Sequence, residues 1–136
     1  MTAVVDASVF VSALYPQDAF HQPSREWLGR QLSDGVLLVA PIIALPEVGG
    51  AIARRTANPD LGRQAVLRLQ RLPYFRLVPV DDRLGLQAVE LAVDLRLRGA
   101  DAVYVAAALQ LQIPLVTWDG EHRERAGGRI AVQTPY

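Results

Sequence analysis

The sequence predicts an α/β domain, a parallel sheet of about five strands flanked by helices on both faces. Three observations carry this expectation. Short apolar runs recur at residues 3–5, 36–40, 76–80, 113–117 and 129–133. Segments with apolar residues at helical spacing separate them. The chain is 136 residues long and 51% apolar, which suits one domain with a buried core and no linker.

Each element has a local reason. Residues 3–5 form a first strand ending at Asp6, and residues 7–14 continue as a helix, with Pro16 and Asp18 in the loop after it. Residues 21–32 read as a helix with Pro23 near its start and Asp34-Gly35 at its end. Residues 36–40 are a buried strand stopped by Pro41. Residues 42–55 read as a helix carrying Glu47; Pro46 fits best in a first turn, which starts the helix late. Gly49 and Gly50 suggest that this helix approaches the sheet edge closely.

Asn58-Pro59-Asp60 starts a helix over residues 61–72, and Pro73 ends it. Residues 76–80 are the third strand. Asp81-Asp82 opens an amphipathic helix reaching about Leu97, with Leu84, Ala88, Leu91 and Leu95 on one stripe and Gly99 closing it. Asp101 then caps a helix over residues 102–110 that is apolar on nearly all sides and therefore buried. Residues 113–117 are a fourth strand, left through Trp118-Asp119-Gly120, and residues 129–133 a short last one. With right-handed crossovers, such a sheet binds ligands beyond the carboxyl ends of its strands. Asp6 and Asp119 both lie just beyond such ends.

Composition removes several chemistries. The chain has no cysteine, so disulfides, thiolate metal sites and a cysteine nucleophile are excluded. All 14 basic residues are arginine. Without lysine there is no P-loop and no Schiff-base or pyridoxal phosphate chemistry, and phosphoaspartate enzymes that set a lysine beside their acids fit poorly. The 14 acids balance the 14 bases, so the protein does not coat nucleic acid by bulk charge, although an acidic pocket ringed by arginines also sums to zero. No signal peptide is visible at the start and no apolar run approaches the roughly 18 residues of a membrane span. The expectation is a soluble, cytoplasmic protein with no membrane contact.

Four carboxylates stand at the joints of the chain: Asp6, Glu47, Asp101 and Asp119. Each alone has a structural reading. Asp6 suits an Asx turn or helix N-cap, and Asp101 an N-cap worth about 1 kcal/mol. Glu47 is favoured near a helix N-terminus by the dipole, and Asp119-Gly120 is an ordinary turn. Ser8 either caps a helix or hydrogen-bonds in a pocket; Thr117 either donates to an acid or water or simply ends its strand. Capping and metal ligation can coexist, because a carboxylate has two oxygens. Gathered on one sheet edge, four acids repel one another and are best stabilised by a hard divalent cation. That set points to a metal-dependent enzyme cleaving phosphodiesters. No cluster of His and Cys suggests zinc.

The segments Val4-Val5-Asp6-Ala7-Ser8, Leu45-Pro46-Glu47-Val48, Arg98 through Asp101 to Ala108, and Pro114-Leu115-Val116-Thr117-Trp118-Asp119 together resemble the PIN domain. The likeness is strongest to the VapC-type ribonuclease toxins of prokaryotic toxin–antitoxin pairs, and it spans essentially the whole chain in order. It implies a five-stranded parallel sheet between helices. It implies an endoribonuclease in which Asp6, Glu47, Asp101 and Asp119 hold one or two Mg²⁺ or Mn²⁺ ions that activate water. Thr117 matches the family's Thr or Ser before the last acid, and Glu121 stands where an outer, water-mediated contact is expected. His122 replaces the usual aromatic or large aliphatic residue and reads as a surface histidine without a catalytic use.

The resemblance also implies tRNA or rRNA as substrate, a homodimer, and an antitoxin protein that reaches into the acidic pocket. Arg25, Arg54, Arg55, Arg96 and Arg98 are candidates for bidentate phosphate contacts, or else solvated helix faces. Trp118, beside Asp119, is the better candidate for stacking on a base, and Trp27 for packing on a helix. Two other functions stay open: a catalytically weak RNA- or protein-binding module, if Pro46 displaces Glu47, and a nuclease of RNA processing or DNA repair outside a toxin system.

Overall fold

The first strand of the chain becomes the centre of its sheet. In the computed structural model, which describes residues 2–136, β1 (Ala3–Val5) pairs in parallel with β2 (Leu38–Pro41) on one side and β4 (Leu115–Val116) on the other. β3 (Phe75–Val78) extends the sheet beyond β2, and β5 (Val132–Gln133) extends it beyond β4. The order is β3-β2-β1-β4-β5, all parallel. β1 and β2 are wholly buried, which explains their unbroken apolar runs. β3 lies at one edge and is half-buried, with Arg76 exposed.

The helices are α1 (Ala7–Leu14), α2 (His21–Ser33), α3 (Ala44–Thr56), α4 (Pro59–Gln70), α5 (Asp82–Leu95), α6 (Gly99–Leu111) and α7 (Gly120–Ala126). α1 packs on α2 and α3, and α3 on α4; α5 packs on α6, which crosses β1, β2 and β4. The strand order runs one way from β1 to β3 and then jumps back to β4. Right-handed crossovers therefore put α1–α4 on one face of the sheet and α5–α6 on the other. α6 buries Ala102 and the run Tyr104–Ala108, as expected of a helix apolar on nearly all sides. No helix among the described residues is long and apolar enough to cross a membrane.

Several expected boundaries hold for the expected reasons. The Asn58 side chain accepts from the Asp60 and Leu61 amides at the start of α4, and Asp81 accepts from Leu84 N–H at 2.9 Å to cap α5. Gly35, with φ +64°, follows α2 in the left-handed region open to glycine. Trp27 is buried in the core.

Other boundaries differ. Gly99 does not close α5; Arg96 does, in the left-handed conformation, and Gly99 is the first residue of α6. Asp101 is accordingly not the cap of α6. Arg98 holds that position, and Asp101 sits in the first turn, where its charge meets the helix dipole without capping a backbone amide. Pro41 does not stop β2 but is its last residue. The segment after Asp119, with no strong apolar period, folds as the short helix α7.

Gly49 and Gly50 do not bring α3 to the sheet edge. Gly49 meets α4 instead: a Cβ there would lie 2.8 Å from Val66, and a Cβ on Gly62 would lie 2.6 Å from the Gly49 carbonyl oxygen. The two backbones touch where side chains would hold them apart. Gly62→Ala is therefore expected to destabilise the fold by about 1–3 kcal/mol, because the obstacle is backbone. Gly29→Ala, on a helix position with open space around it, is expected to stabilise by about 0.5–1 kcal/mol. Urea midpoints of the two variants check this opposite pair.

Candidate functional site

β1 is the point where the strand order reverses, and the carboxyl ends of β1 and β4 adjoin there. Val5 pairs with Val116, and Asp6 N–H donates to the Val116 carbonyl at 2.9 Å. Asp6 and Thr117 thus leave the sheet side by side. The Thr117 hydroxyl donates to Asp6 Oδ2 at 2.8 Å and accepts the Asp119 amide at 3.0 Å. One buried hydroxyl holds an acid from each of two strands in register. Ser8 Oγ accepts from Trp118 N–H at 3.2 Å and lies 3.4 Å from Thr117 Oγ1, so Ser8 serves the pocket as well as its helix start.

Asp6 stands at the N-cap position of α1 but its side chain caps no amide, because Thr117 claims it. It is 7% exposed. Asp119 is the N-cap of α7, with Oδ1 accepting from Glu121 N–H at 2.9 Å. Asp101 reaches the same place from the first turn of α6. Glu47 comes from the first turn of α3 and accepts a 2.6 Å hydrogen bond from the Tyr104 hydroxyl. Tyr104 lies three residues beyond Asp101, one helical step along the same face. Its role was not read from the sequence, though a lone phenol in so apolar a helix is a signal that it has a buried partner.

Glu47 feels its burial and two of the other acids. Burial raises the Glu47 carboxyl above its ordinary value; the Tyr104 hydrogen bond opposes this, and the charges of Asp6 and Asp101 add to it. Burial, the bond to Glu47 and the charge of Asp6 push the Tyr104 phenol far up, so it stays a neutral donor.

His122 corrects the sequence reading. It is not a surface residue but 1% exposed, on the first turn of α7. Its Nε2 lies 3.1 Å from Asp101 Oδ1, at ion-pair distance for a charged ring, and its Nδ1 has no hydrogen-bond partner. Burial pushes its pKa down, but contact with Asp101 and the charges of Asp6, Asp101 and Asp119 outweigh this and raise it. One ligand atom from each of Asp101, Asp119 and His122 falls within a set spanning no more than 4.8 Å. Glu121 is exposed and turns to Arg125, 3.9 Å away.

An open groove of about 800 Å³ runs beside the acids, with Ser8, Glu47, Asp119, Trp118, Arg54 and Arg55 among its walls. Of the candidate arginines, Arg54 and Arg55 line it. Arg55 is paired with Asp18 at 2.5 Å and sits over the Tyr15 ring; Arg54 is in no ion pair among the described residues. Arg25 lines a different groove, with Leu28 and Leu32. Arg96 and Arg98 are exposed on the link between α5 and α6 and do not line the acid groove. Trp118 is not free to take a base on both faces: Phe20 stacks on it at 4.1 Å, Tyr136 meets its edge, and its indole N–H donates to Ser24 at 2.7 Å. Of this cluster, Phe20, 44% exposed, lies in the groove wall.

The raised Glu47 carboxyl has a consequence for stability. The folded state binds this proton more tightly than the unfolded chain, so the contribution of Glu47 to stability is greatest at low pH and is lost as pH rises through the raised folded value. Glu47→Gln, which keeps an acceptor for Tyr104, is expected to raise the melting temperature in EDTA at neutral pH. The advantage shrinks towards about pH 4, near the ordinary Glu value. Thermal melts of both proteins across that range check it.

The chain's likenesses agree with this fold. The PIN domain family model matches residues 3–128. Among solved structures, the fold is similar to Mycobacterium tuberculosis VapC20, a sarcin–ricin loop cleaving toxin, at TM-score 0.76 and 23% identity, over 98% of this chain and 99% of that one. It is also similar to VapBC2 from Rickettsia felis bound to a promoter DNA fragment (TM-score 0.76, 11% identity, 98% of each chain). A toxin–antitoxin complex from Klebsiella pneumoniae gives TM-score 0.65 at 18% identity over 98% of each chain. No curated protein sequence gives a significant match. With residues 3–128 matched by the family model and the fold shared over nearly the whole chain, the chain belongs to the PIN domain family.

Proposed function

We propose that this PIN domain is a Mg²⁺- or Mn²⁺-dependent endoribonuclease, the toxin of a toxin–antitoxin pair. The observation that carries the reading is the convergence of Asp6, Glu47, Asp101 and Asp119, from four separate segments, beside an open groove at the strand-order reversal. The donor set fits a hard divalent cation, being rich in carboxylate oxygen and short of compensating positive charge. Burial first, and the charges of Asp6 and Asp101 after it, raise the Glu47 carboxyl. When bound, such a cation supplies Lewis-acid polarisation of the phosphate and of the attacking water.

The chain's own groups do the rest. Asp101 and Asp119 hold the cation, with Asp6 fixed by Thr117 and Glu47 fixed by Tyr104. These second partners set the direction of each carboxylate. Arg54, free of ion pairs among the described residues, is the groove's phosphate anchor. Phe20, backed by Trp118, offers a stacking surface for an unpaired base, which suits single-stranded or looped RNA. The likeness to a toxin that cleaves the sarcin–ricin loop supports ribosomal RNA as a substrate class, with tRNA the other. The likeness to a toxin–antitoxin complex supports an antitoxin partner, whose arginine would pair with the acids. A homodimer in the cytoplasm completes the proposal.

The test is cleavage of total cellular RNA by purified protein in Mn²⁺ or Mg²⁺. Cutting is expected, with loss in EDTA and a fall of about 10²-fold or more in Asp101→Asn. Asp94→Asn, an exposed acid on α5, is expected to cut as wild type does. Cutting that survives EDTA, or full activity in Asp101→Asn, overturns the assignment.

A further inference from the structure

We propose that His122 is a nitrogen ligand of the cation, forming with Asp101 and Asp119 a mixed carboxylate–imidazole centre that prefers Mn²⁺ to Mg²⁺. The inference rests on the metal-dependent reading above and specifies its donor set.

The first argument is the imidazole itself. It is 1% exposed, its Nδ1 has no hydrogen-bond partner, and its Nε2 meets only Asp101 Oδ1, itself a member of the acidic set. Buried polar atoms are nearly always partnered, and leaving one bare costs about 1–3 kcal/mol. A buried histidine turned onto carboxylates, with its hydrogen-bonding capacity only partly met, is explained if its lone pair has a cation to meet. The second argument is spacing. Nε2 stands 3.1 Å from Asp101 Oδ1. A six-coordinate ion holding its ligands at roughly 2.1 Å puts adjacent donor atoms about 3 Å apart. The full set, within 4.8 Å, needs only a small closure to span such an ion.

The third argument is how α7 presents the two groups. Asp119 is its N-cap and His122 lies three residues on, so both face the same side of the first turn. Asp119 spends Oδ1 on the Glu121 amide and keeps Oδ2 for a ligand. Asp101 caps no amide and has both oxygens available. Donor chemistry then sets the metal. Mg²⁺ takes oxygen donors almost exclusively, whereas imidazole suits transition metals, and Mn²⁺ accepts imidazole while still favouring carboxylate and water.

A different role predicts the opposite sign. If His122 acts only as a charged partner that quiets the acids, a cation must displace it, and removing it strengthens binding of both metals. Two measurements separate these. Pulsed EPR of Mn²⁺ bound to the wild-type protein reads nitrogen coupling directly and needs no variant. Coupling is expected, and it should persist in His21→Asn, which removes the chain's other histidine. Equilibrium binding to His122→Asn is expected to show Mn²⁺ affinity reduced about tenfold or more and Mg²⁺ affinity changed less than about twofold. Mn²⁺ bound without nitrogen coupling, or tighter binding of both metals by the variant, overturns the proposal and leaves the metal-dependent reading standing. Failure of the wild-type protein to bind Mn²⁺ at all overturns both. Should His122→Asn not fold, the wild-type spectrum alone decides.

Discussion

The pairing of β1 with β4 is the constraint on which the site depends. Val5 opposite Val116 sets Asp6 beside Thr117, and the Thr117 hydroxyl then bridges Asp6 and the Asp119 amide. Side chains alternate along a strand, so a slip of one residue would turn Thr117 away from Asp6. The register is protected because both strands are fully buried at these positions. Stability and site geometry are thus specified by the same few contacts. A fault in the core at Val5 or Val116 would reach the acids directly.

Around that bridge, three of the four acids are restrained by a group that leaves the charge intact. Thr117 holds Asp6, Tyr104 holds Glu47, and a backbone amide holds Asp119. A hydroxyl or amide donor orients a carboxylate without cancelling it, whereas an arginine or lysine would have done both. The His122 imidazole stands beside Asp101; the arginines of the groove wall, Arg54 and Arg55, pair with none of the four acids, and Arg55 is engaged by Asp18. The arrangement conserves negative charge where it is costly. Burial raises the Glu47 carboxyl, and Asp6 and Asp101 raise it further. Local structure that maintains such stress is more readily understood as preparation for a cation than as support for the fold.

Much of this was legible in the residues, and what was not has identifiable causes. Buried strands and capped helices announce themselves through apolar runs and through residues such as Asn58 and Asp81, whose side chains do cap. The positions of Asp6, Glu47 and Asp119 follow from strand and helix ends. Asp101 shows the limit of local reasoning: an acid at the start of an apolar helix looks like a cap, and only the backbone reveals that Arg98 holds that position. His122 shows it more sharply. Burial of a polar residue on a seven-residue helix without strong apolar periodicity is set by tertiary contact, which no local pattern encodes. Gly49 was read correctly as a close approach but against the wrong neighbour, since sequence gives the absence of a side chain and not what fills the space.

Pro46 bears on the choice between a nuclease and an inert module of the same fold. Within a helix interior it would remove a hydrogen bond and distort the turn that carries Glu47. It stands instead third in α3, among the first amides of a helix, which have no intrahelical partner in any case. The next amide, that of Glu47 itself, already bonds the Ile43 carbonyl at 3.1 Å. The helix is regular from the residue that matters, and the Glu47 side chain meets Tyr104 across the pocket at 2.6 Å. The physical ground for expecting a displaced fourth acid is therefore gone. What separates a working nuclease from a binding module must then lie in the cation and its ligands, and of those side chains His122 is the one that departs from an all-oxygen set.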